Sequence, residues 1–223
     1  MEVITVSDPE LATSAATLNI GVGFFQDPQE AQGIAHFLEH MIFMGSKKYK
    51  SPNEYMEFIT QNGGSTNAFT AAEQTTYLFS INNKKFAPAL DRLSAAIMEP
   101  LFDGTMVEKE INAVNSEWLK NRQTDAFIQQ RTLALTGNPS HPRVKLGVGN
   151  KDTLGSNEEQ LLGSLRDFHE KFYSANLMKL VLVGNQSSKE LAKLARKYFS
   201  NIKNSKVERP VNNISAYREK DLS

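Results

Sequence analysis

The sequence predicts an α+β domain, a mostly antiparallel mixed sheet flanked by helices. The hydrophobic period switches several times between 2 and 3.6, and strand-like and helix-like stretches alternate with no long linker or repeat. With 223 residues and 40% hydrophobic content, the chain can bury one substantial core and suits one large domain better than two small ones.

The elements follow in order. Residues 1–6 read as a strand and not as a signal peptide, and 15–25 form a second strand candidate. Asp27, Pro28 and Glu30 supply an N-cap, a proline at the first helical position and a capping-box partner, so a helix is expected to start there and stop at Gly45. Ser51-Pro52-Asn53-Glu54 opens a short helix by the same logic. Gly63-Gly64-Ser65-Thr66 is turn chemistry, after which 67–70 and 75–81, rich in Thr, Phe and Tyr, read as a hairpin or sheet edge. Residues 84–98 form an amphipathic helix. Thr105, with Glu108 as its capping partner, opens a long helix continuing to about Leu135, roughly 45 Å at 1.5 Å per residue. A stretch rich in Gly, Asn and Pro spans 137–157, followed by a helix at 158–173, a strand at 179–183 and a helix at 188–199. From 201 onward the chain is polar, with the composition of an interdomain linker. The expected division is a metal-binding domain at 1–202 and, at 203–223, a linker and the start of a following domain.

Composition narrows the function classes. Basic and acidic residues balance at 25 each and no basic cluster is interleaved with aromatics, so nucleic acid is not an expected partner. No apolar run approaches the roughly 18 residues that span a bilayer, so no membrane partner is expected either. Absence of cysteine rules out disulfides and thiolate metal sites while leaving the compartment open; the reading leans to cytoplasm over periplasm.

The most informative segment is His36-Phe37-Leu38-Glu39-His40. At 3.6 residues per turn the two imidazoles stack on one side of a helix, with Glu39 beside them. Two imidazoles so placed can share a zinc ion, and the carboxylate can reach a water bound to it. The surrounding Ile34, Phe37, Leu38, Met41, Ile42, Phe43 and Met44 cover nearly the whole circumference, as in a helix buried on most sides. Histidines and a glutamate inside such a helix are expensive to bury without a partner, and a metal accommodates all of them. The H-x-x-E-H order therefore reads as a zinc peptidase.

Catalytic zinc normally takes three protein ligands. On the long helix Glu110, Val114 and Glu117 share a face that is otherwise apolar, with Ala113 adjoining, whereas Glu108 is read as solvated. Spacing alone leaves Glu110 and Glu117 both open as the third ligand. His141, among turn formers, is read as ordering a loop, and His169 as a solvated residue on an amphipathic helix.

The chain resembles the N-terminal domain of the pitrilysin and insulin-degrading enzyme family of zinc metallopeptidases, the inverzincins. Besides the His36–His40 motif the similar segments are 44–49, Asn67-Ala68-Phe69-Thr70, Pro100-Leu101-Phe102-Asp103, 112–117, 136–142 and 173–178. The resemblance implies an antiparallel-rich sheet flanked by helices, as the first domain of a four-domain peptidase. It implies Glu117 as the third zinc ligand beside His36 and His40. Glu110 then matches a second acidic residue implicated in catalysis, and Asn67 and Ala68, with Phe69 after them, lie beside the substrate backbone at a sheet edge that can accept an extended peptide.

The implied activity is zinc-dependent endopeptidase hydrolysis of peptides and small proteins. Zinc would lower the pKa of its bound water towards about 7 and polarise the scissile carbonyl. Glu39 would take the proton and hand it to the leaving amine. Glu110 would fix the tautomer of a ligating histidine or hold charge near the water. The resemblance covers only the first of the four domains, so the partner expected beyond peptide substrates is a missing C-terminal half. The family draws a tyrosine and an arginine from that half, and their lack would lower turnover by about 10²-fold or more. The isolated chain is thus expected to bind zinc and cleave weakly or not at all. The alternative, a non-catalytic assembly or processing subunit, gives no physical reason to keep His36, Glu39, His40 and Glu117 together.

Overall fold

The computed structural model describes residues 1–155 and 157–218. Alternation in the sequence becomes alternation of faces: along β2 (Thr13–Ile20) Ser14, Ala16, Leu18 and Ile20 point inward while their neighbours are half-buried or exposed. After β1 (Glu2–Ser7) and β2 come helices α1 (Ile34–Ile42) and α2 (Glu54–Gln61), then strands β3 (Ser65–Thr70) and β4 (Thr75–Asn82). Helices α3 (Phe86–Met98), α4 (Val107–Asn121), α5 (Asp125–Thr136), α6 (Lys151–Leu154) and α7 (Glu158–Phe172) follow, before strand β5 (Met178–Gly184) and helix α8 (Ser188–Phe199).

The strands form one five-stranded sheet in the order β1-β5-β2-β4-β3. Only β1 and β5 run parallel; the other pairings are antiparallel, so the sheet is mixed and mostly antiparallel as the sequence predicts. Leu18 sits opposite both Tyr77 and Leu180, which places the buried sets of β2, β4 and β5 in register on one face. Helices α1, α2 and α3 pack on the β3–β4 side and α8 on the β1–β5 side. Fully burying an aliphatic or aromatic side chain of this core contributes on the order of 1.5–3 kcal/mol. No helix of the described residues is long and apolar enough to cross a membrane.

Strand β2 ends at Ile20, short of the expected residue 25, because the chain turns at Gly21 and then follows the β3–β4 turn through Phe24 N to Ala71 O and Phe25 N to Ala72 O. Helix α1 begins at Ile34 and not near Pro28, where the chain forms only a short 3₁₀ turn at Gln29–Ala31. Asp27 still caps the helix, but from a distance: its carboxylate accepts from Gly33 N at 2.7 Å and Ala35 N at 3.1 Å, reaching over the intervening turn.

The predicted long helix is two. It breaks at 122–124, where Thr124 caps α5 by accepting from Phe127 N; at its start Asp103, and not Thr105, caps the 3₁₀ turn Gly104–Met106 that leads into α4, accepting from Thr105 N at 2.9 Å. The break makes α5 a separate helix, and its Phe127, Gln130, Arg131 and Ala134 line a cleft together with residues of α1, α4 and β3. His169 is not solvated. Its Nε2 donates to Ile97 O at 2.8 Å, its ring contacts those of Phe102 and Tyr173, and burial pushes its pKa down.

The tail carries no helix or strand among the described residues beyond 202, yet it is tied to the body. Asn138 N donates to Ala216 O at 2.9 Å, Asn176 Nδ2 to Val207 O at 2.7 Å, and Arg143 lies over the Tyr217 ring. Ser156 of the loop and residues 219–223 of the tail lie outside the described residues.

Candidate metal centre

Helix α1 packs against β3, α4 and α7, with His36 and His40 directed at α4 and Glu39 at Thr70 of β3. Their backbone needs no special conformation; helical spacing alone stacks the imidazoles, whose ring centroids are 4.8 Å apart at 86°. Across from them α4 presents Glu110 and Glu117, two turns apart on one face.

The hydrogen bonds fix which ring nitrogens are free. His36 Nδ1 lies 2.8 Å from Val148 O, a group that can only accept, so Nδ1 carries the proton and Nε2 presents a lone pair. His40 Nδ1 lies 3.1 Å from Glu110 Oε2, and Glu110 is 5% exposed, so the same logic leaves His40 Nε2 unprotonated in the neutral ring. Both free nitrogens face one carboxylate: His36 Nε2 is 3.4 Å from Glu117 Oε2 and His40 Nε2 is 3.6 Å from Glu117 Oε1. All these donor atoms lie within 4.8 Å of one another.

A cluster of lone pairs facing one another is repulsive until a cation enters it. A divalent cation with donors at about 2.1 Å in tetrahedral directions needs those donors about 3.4 Å apart; the two His–Glu117 separations, one to each carboxylate oxygen, are 3.4 and 3.6 Å, within a donor set no wider than 4.8 Å. Two imidazoles and a carboxylate therefore fit a metal ion, and Glu117, 46% exposed, leaves a side of the cluster open to solvent.

The electrostatics follow the same geometry. Burial, and then the neighbouring His40, push the His36 pKa down. Burial also pushes His40 down, but the Glu110 hydrogen bond with the charges of Glu117 and Glu39 more than offsets it, and the net direction is up. Glu39 is 6% exposed; burial pushes its carboxyl up to about 7 against the hydrogen bond donated by Thr70 Oγ1 to Oε2 at 2.6 Å. A cation beside it would pull that value back down.

These groups line a cleft of about 720 Å³. Asn67, Ala68 and Phe69 lie on its rim along β3, which is the edge strand of the sheet, and Phe69 is 45% exposed. The cleft thus gathers His36, Glu39, His40, Glu110, Glu117, Asn67, Ala68 and Phe69 into one place. Glu108 is exposed, and His141 is turned to loop capping by accepting from Arg143 N at 3.0 Å. Sequence reasoning missed Thr70, the Val148 carbonyl and the α5 wall. Thr70 had a signal, since it alternates with Thr66 and Ala68 on the inward side of β3. A main-chain carbonyl has none.

Residues 2–140 match the profile of the family described as "Insulinase (Peptidase family M16)", and residues 161–222 match "Peptidase M16 inactive domain". The chain is 40% identical over 214 residues to insulin-degrading enzyme of Homo sapiens, covering 94% of this chain and 21% of that protein. It is 42% identical over 211 residues to Protease 3 of Escherichia coli K12, at 94% and 22% coverage, and 40% identical over 216 residues to the A-factor-processing enzyme of Saccharomyces cerevisiae, at 95% and 21%. Among solved structures the fold is similar to crystalline pitrilysin, with a TM-score of 0.95 at 40% identity over 98% of this chain and 24% of that one. The chain spans about a fifth of the length of these curated relatives.

Proposed function

Because this chain belongs to the M16 (insulinase) family of peptidases, we propose that its cleft is a zinc-dependent endopeptidase centre acting on extended peptides. The observation that carries the proposal is the convergence of His36 Nε2, His40 Nε2 and the Glu117 carboxylate on one point beside the buried Glu39. Zinc held there supplies a Lewis acid for the scissile carbonyl and lowers the pKa of a water it binds.

The chain's own residues supply the rest. Glu39 takes the proton of the attacking water on Oε1, because Oε2 is held by the Thr70 hydroxyl, and then passes it to the leaving amine. Glu110 holds the His40 proton on Nδ1, outside the coordination sphere. The free edge of β3 offers main-chain groups at Asn67 and Ala68 for pairing with a substrate strand, which tolerates many side chains, while Phe69 adds an apolar surface. In this reading residues 1–202 form the metal domain, the stretch from 203 links it onward, and full turnover needs the portion that the longer relatives have and this chain does not match.

The test is zinc content of wild type, His36→Gln and Glu117→Gln, with peptide hydrolysis measured in parallel on wild type and Glu39→Gln. Wild type should retain stoichiometric zinc and the ligand variants lose it. Cleavage by the wild-type chain should be slow and should vanish in Glu39→Gln with zinc retained. Loss of metal from Glu39→Gln, or hydrolysis at the wild-type rate, would overturn the assignment.

A further inference from the structure

The loop at 144–150 does more than close the cleft. It reaches the metal cluster through the Val148 carbonyl on His36 Nδ1, and several of its other polar contacts tie the loop to the surrounding segments. Lys145 Nζ donates to Phe25 O and Asp27 O, both at 2.6 Å, and Leu146 N donates to Gln32 Oε1 at 2.8 Å. Arg131 on α5 donates to Val144 O at 3.0 Å and Lys145 O at 2.9 Å, and Lys151 N reaches Asn115 Oδ1 on α4.

The anchors of Lys145 are themselves tied to α1. Asp27, whose carbonyl it holds, carries the first amides of that helix on its carboxylate. The loop also comes so close that a methyl group at Gly33 (φ +95°) would collide with the Gly149 backbone, and Gly149 (φ +72°) stands 3.0 Å, at its own added methyl, from the Gly33 Cα. Backbone meets backbone there, which leaves no room for a side chain between the loop and the helix start.

We propose that Lys145 is a positioning residue: by strapping the loop to the segment before α1 it holds the Val148 carbonyl on His36 and sets that imidazole to present Nε2 to Glu117. Its ammonium bonds to Phe25 and Asp27 and to no member of the metal cluster, although the residue lies in the wall of the same cleft. With two ammonium protons committed to carbonyls that can only accept, the cation acts as a cross-link between two strands of loop that share no backbone ladder. A residue that positions a ligating histidine in this way is expected to change metal affinity by about 10–100-fold when removed. The inference rests on the metal-site reading above, and its test separates the two.

The experiment uses the chain itself, labelled with ¹⁵N-histidine and freed of metal at pH 8, where a long-range ¹H–¹⁵N spectrum reports the tautomer of each imidazole. In wild type His36 should show a protonated Nδ1 and a bare Nε2. Lys145→Met should mix the tautomers and weaken zinc binding, measured by chelator competition, by about 10–100-fold, while Lys145→Arg should restore both. Leu191→Ala in the distant α8, matched for loss of stability, should leave both readouts at the wild-type value. If Lys145→Met does not fold, Gly149→Ala perturbs the same carbonyl and should give the same mixed tautomer. A pure Nδ1–H tautomer with unchanged zinc affinity in folded Lys145→Met, or an equal loss in Leu191→Ala, overturns the inference. Failure of wild type to bind zinc while the tautomer shifts as described would instead overturn the metal reading alone.

Discussion

Removing Glu110 separates the two cleft-facing glutamates of α4, Glu110 and Glu117, which helical spacing alone leaves interchangeable. Glu110 Oε2 receives the His40 Nδ1 proton at 3.1 Å in a buried setting, and no atom of Glu110 belongs to the cluster of free donors. In Glu110→Ala the His40 N–H loses a charged acceptor, worth about 1.5–3 kcal/mol for a hydrogen bond of this type. If that free energy is expressed in holding His40 Nε2 as a ligand, zinc affinity falls by about 10- to 150-fold. Glu110→Gln can still present an amide oxygen to Nδ1, so it should lose less, at most about tenfold. Glu117→Ala removes a donor outright and should abolish tight binding. The assay is competition with a chromophoric chelator at pH 7.5 for the three variants and wild type, with far-UV circular dichroism to show that each is folded. Affinity within twofold of wild type in Glu110→Ala would refute the orienting role. Loss as complete as in Glu117→Ala would make Glu110 a ligand.

Other outcomes follow from single contacts. Thr70→Val leaves Glu39 Oε2 without its hydroxyl donor, and should keep zinc while slowing any hydrolysis by about 5- to 150-fold, from an unmade bond of about 1–3 kcal/mol; unchanged turnover would show that Thr70 does not hold Glu39. Phe37→Ala empties a fully buried position in α1 and should cost about 3–5 kcal/mol in urea unfolding, with a loss below 1 kcal/mol contradicting the packing described. Burial pushes the Asp27 carboxyl up to about 7, so its folded-state value lies above the unfolded one. Its contribution to stability is then fully present below about pH 4 and is lost as pH rises through 7. Relative to Asp27→Asn, which does not titrate, wild type should lose stability between pH 5 and 8; a gap that does not change with pH would refute the shift.

Local order settled much of this protein in the sequence. The spacing of His36, Glu39 and His40 needs only one helix to become a geometric fact, and the apolar surround of that helix announced its burial. The helix at Ser188–Phe199 and the strand around Lys179–Val183 were legible because their periodicity and caps agree with each other. Element starts were less legible: Asp27 does cap α1, but the length of turn between cap and helix depends on packing at Gly33 and Gly149.

What tertiary structure alone decided is how α4 crosses α1. Glu110 and Glu117 lie on the same face of one helix, and sequence periodicity treats them alike. Only the placement of that face over α1 sets Glu117 before both free nitrogens and Glu110 behind His40. The break at Thr124 that makes α5 a separate helix lining the cleft, and the Val148 carbonyl on His36, were likewise invisible. One helix's periodicity says which residues share a side; it carries no record of the partner brought against that side by packing more than 60 residues away along the chain.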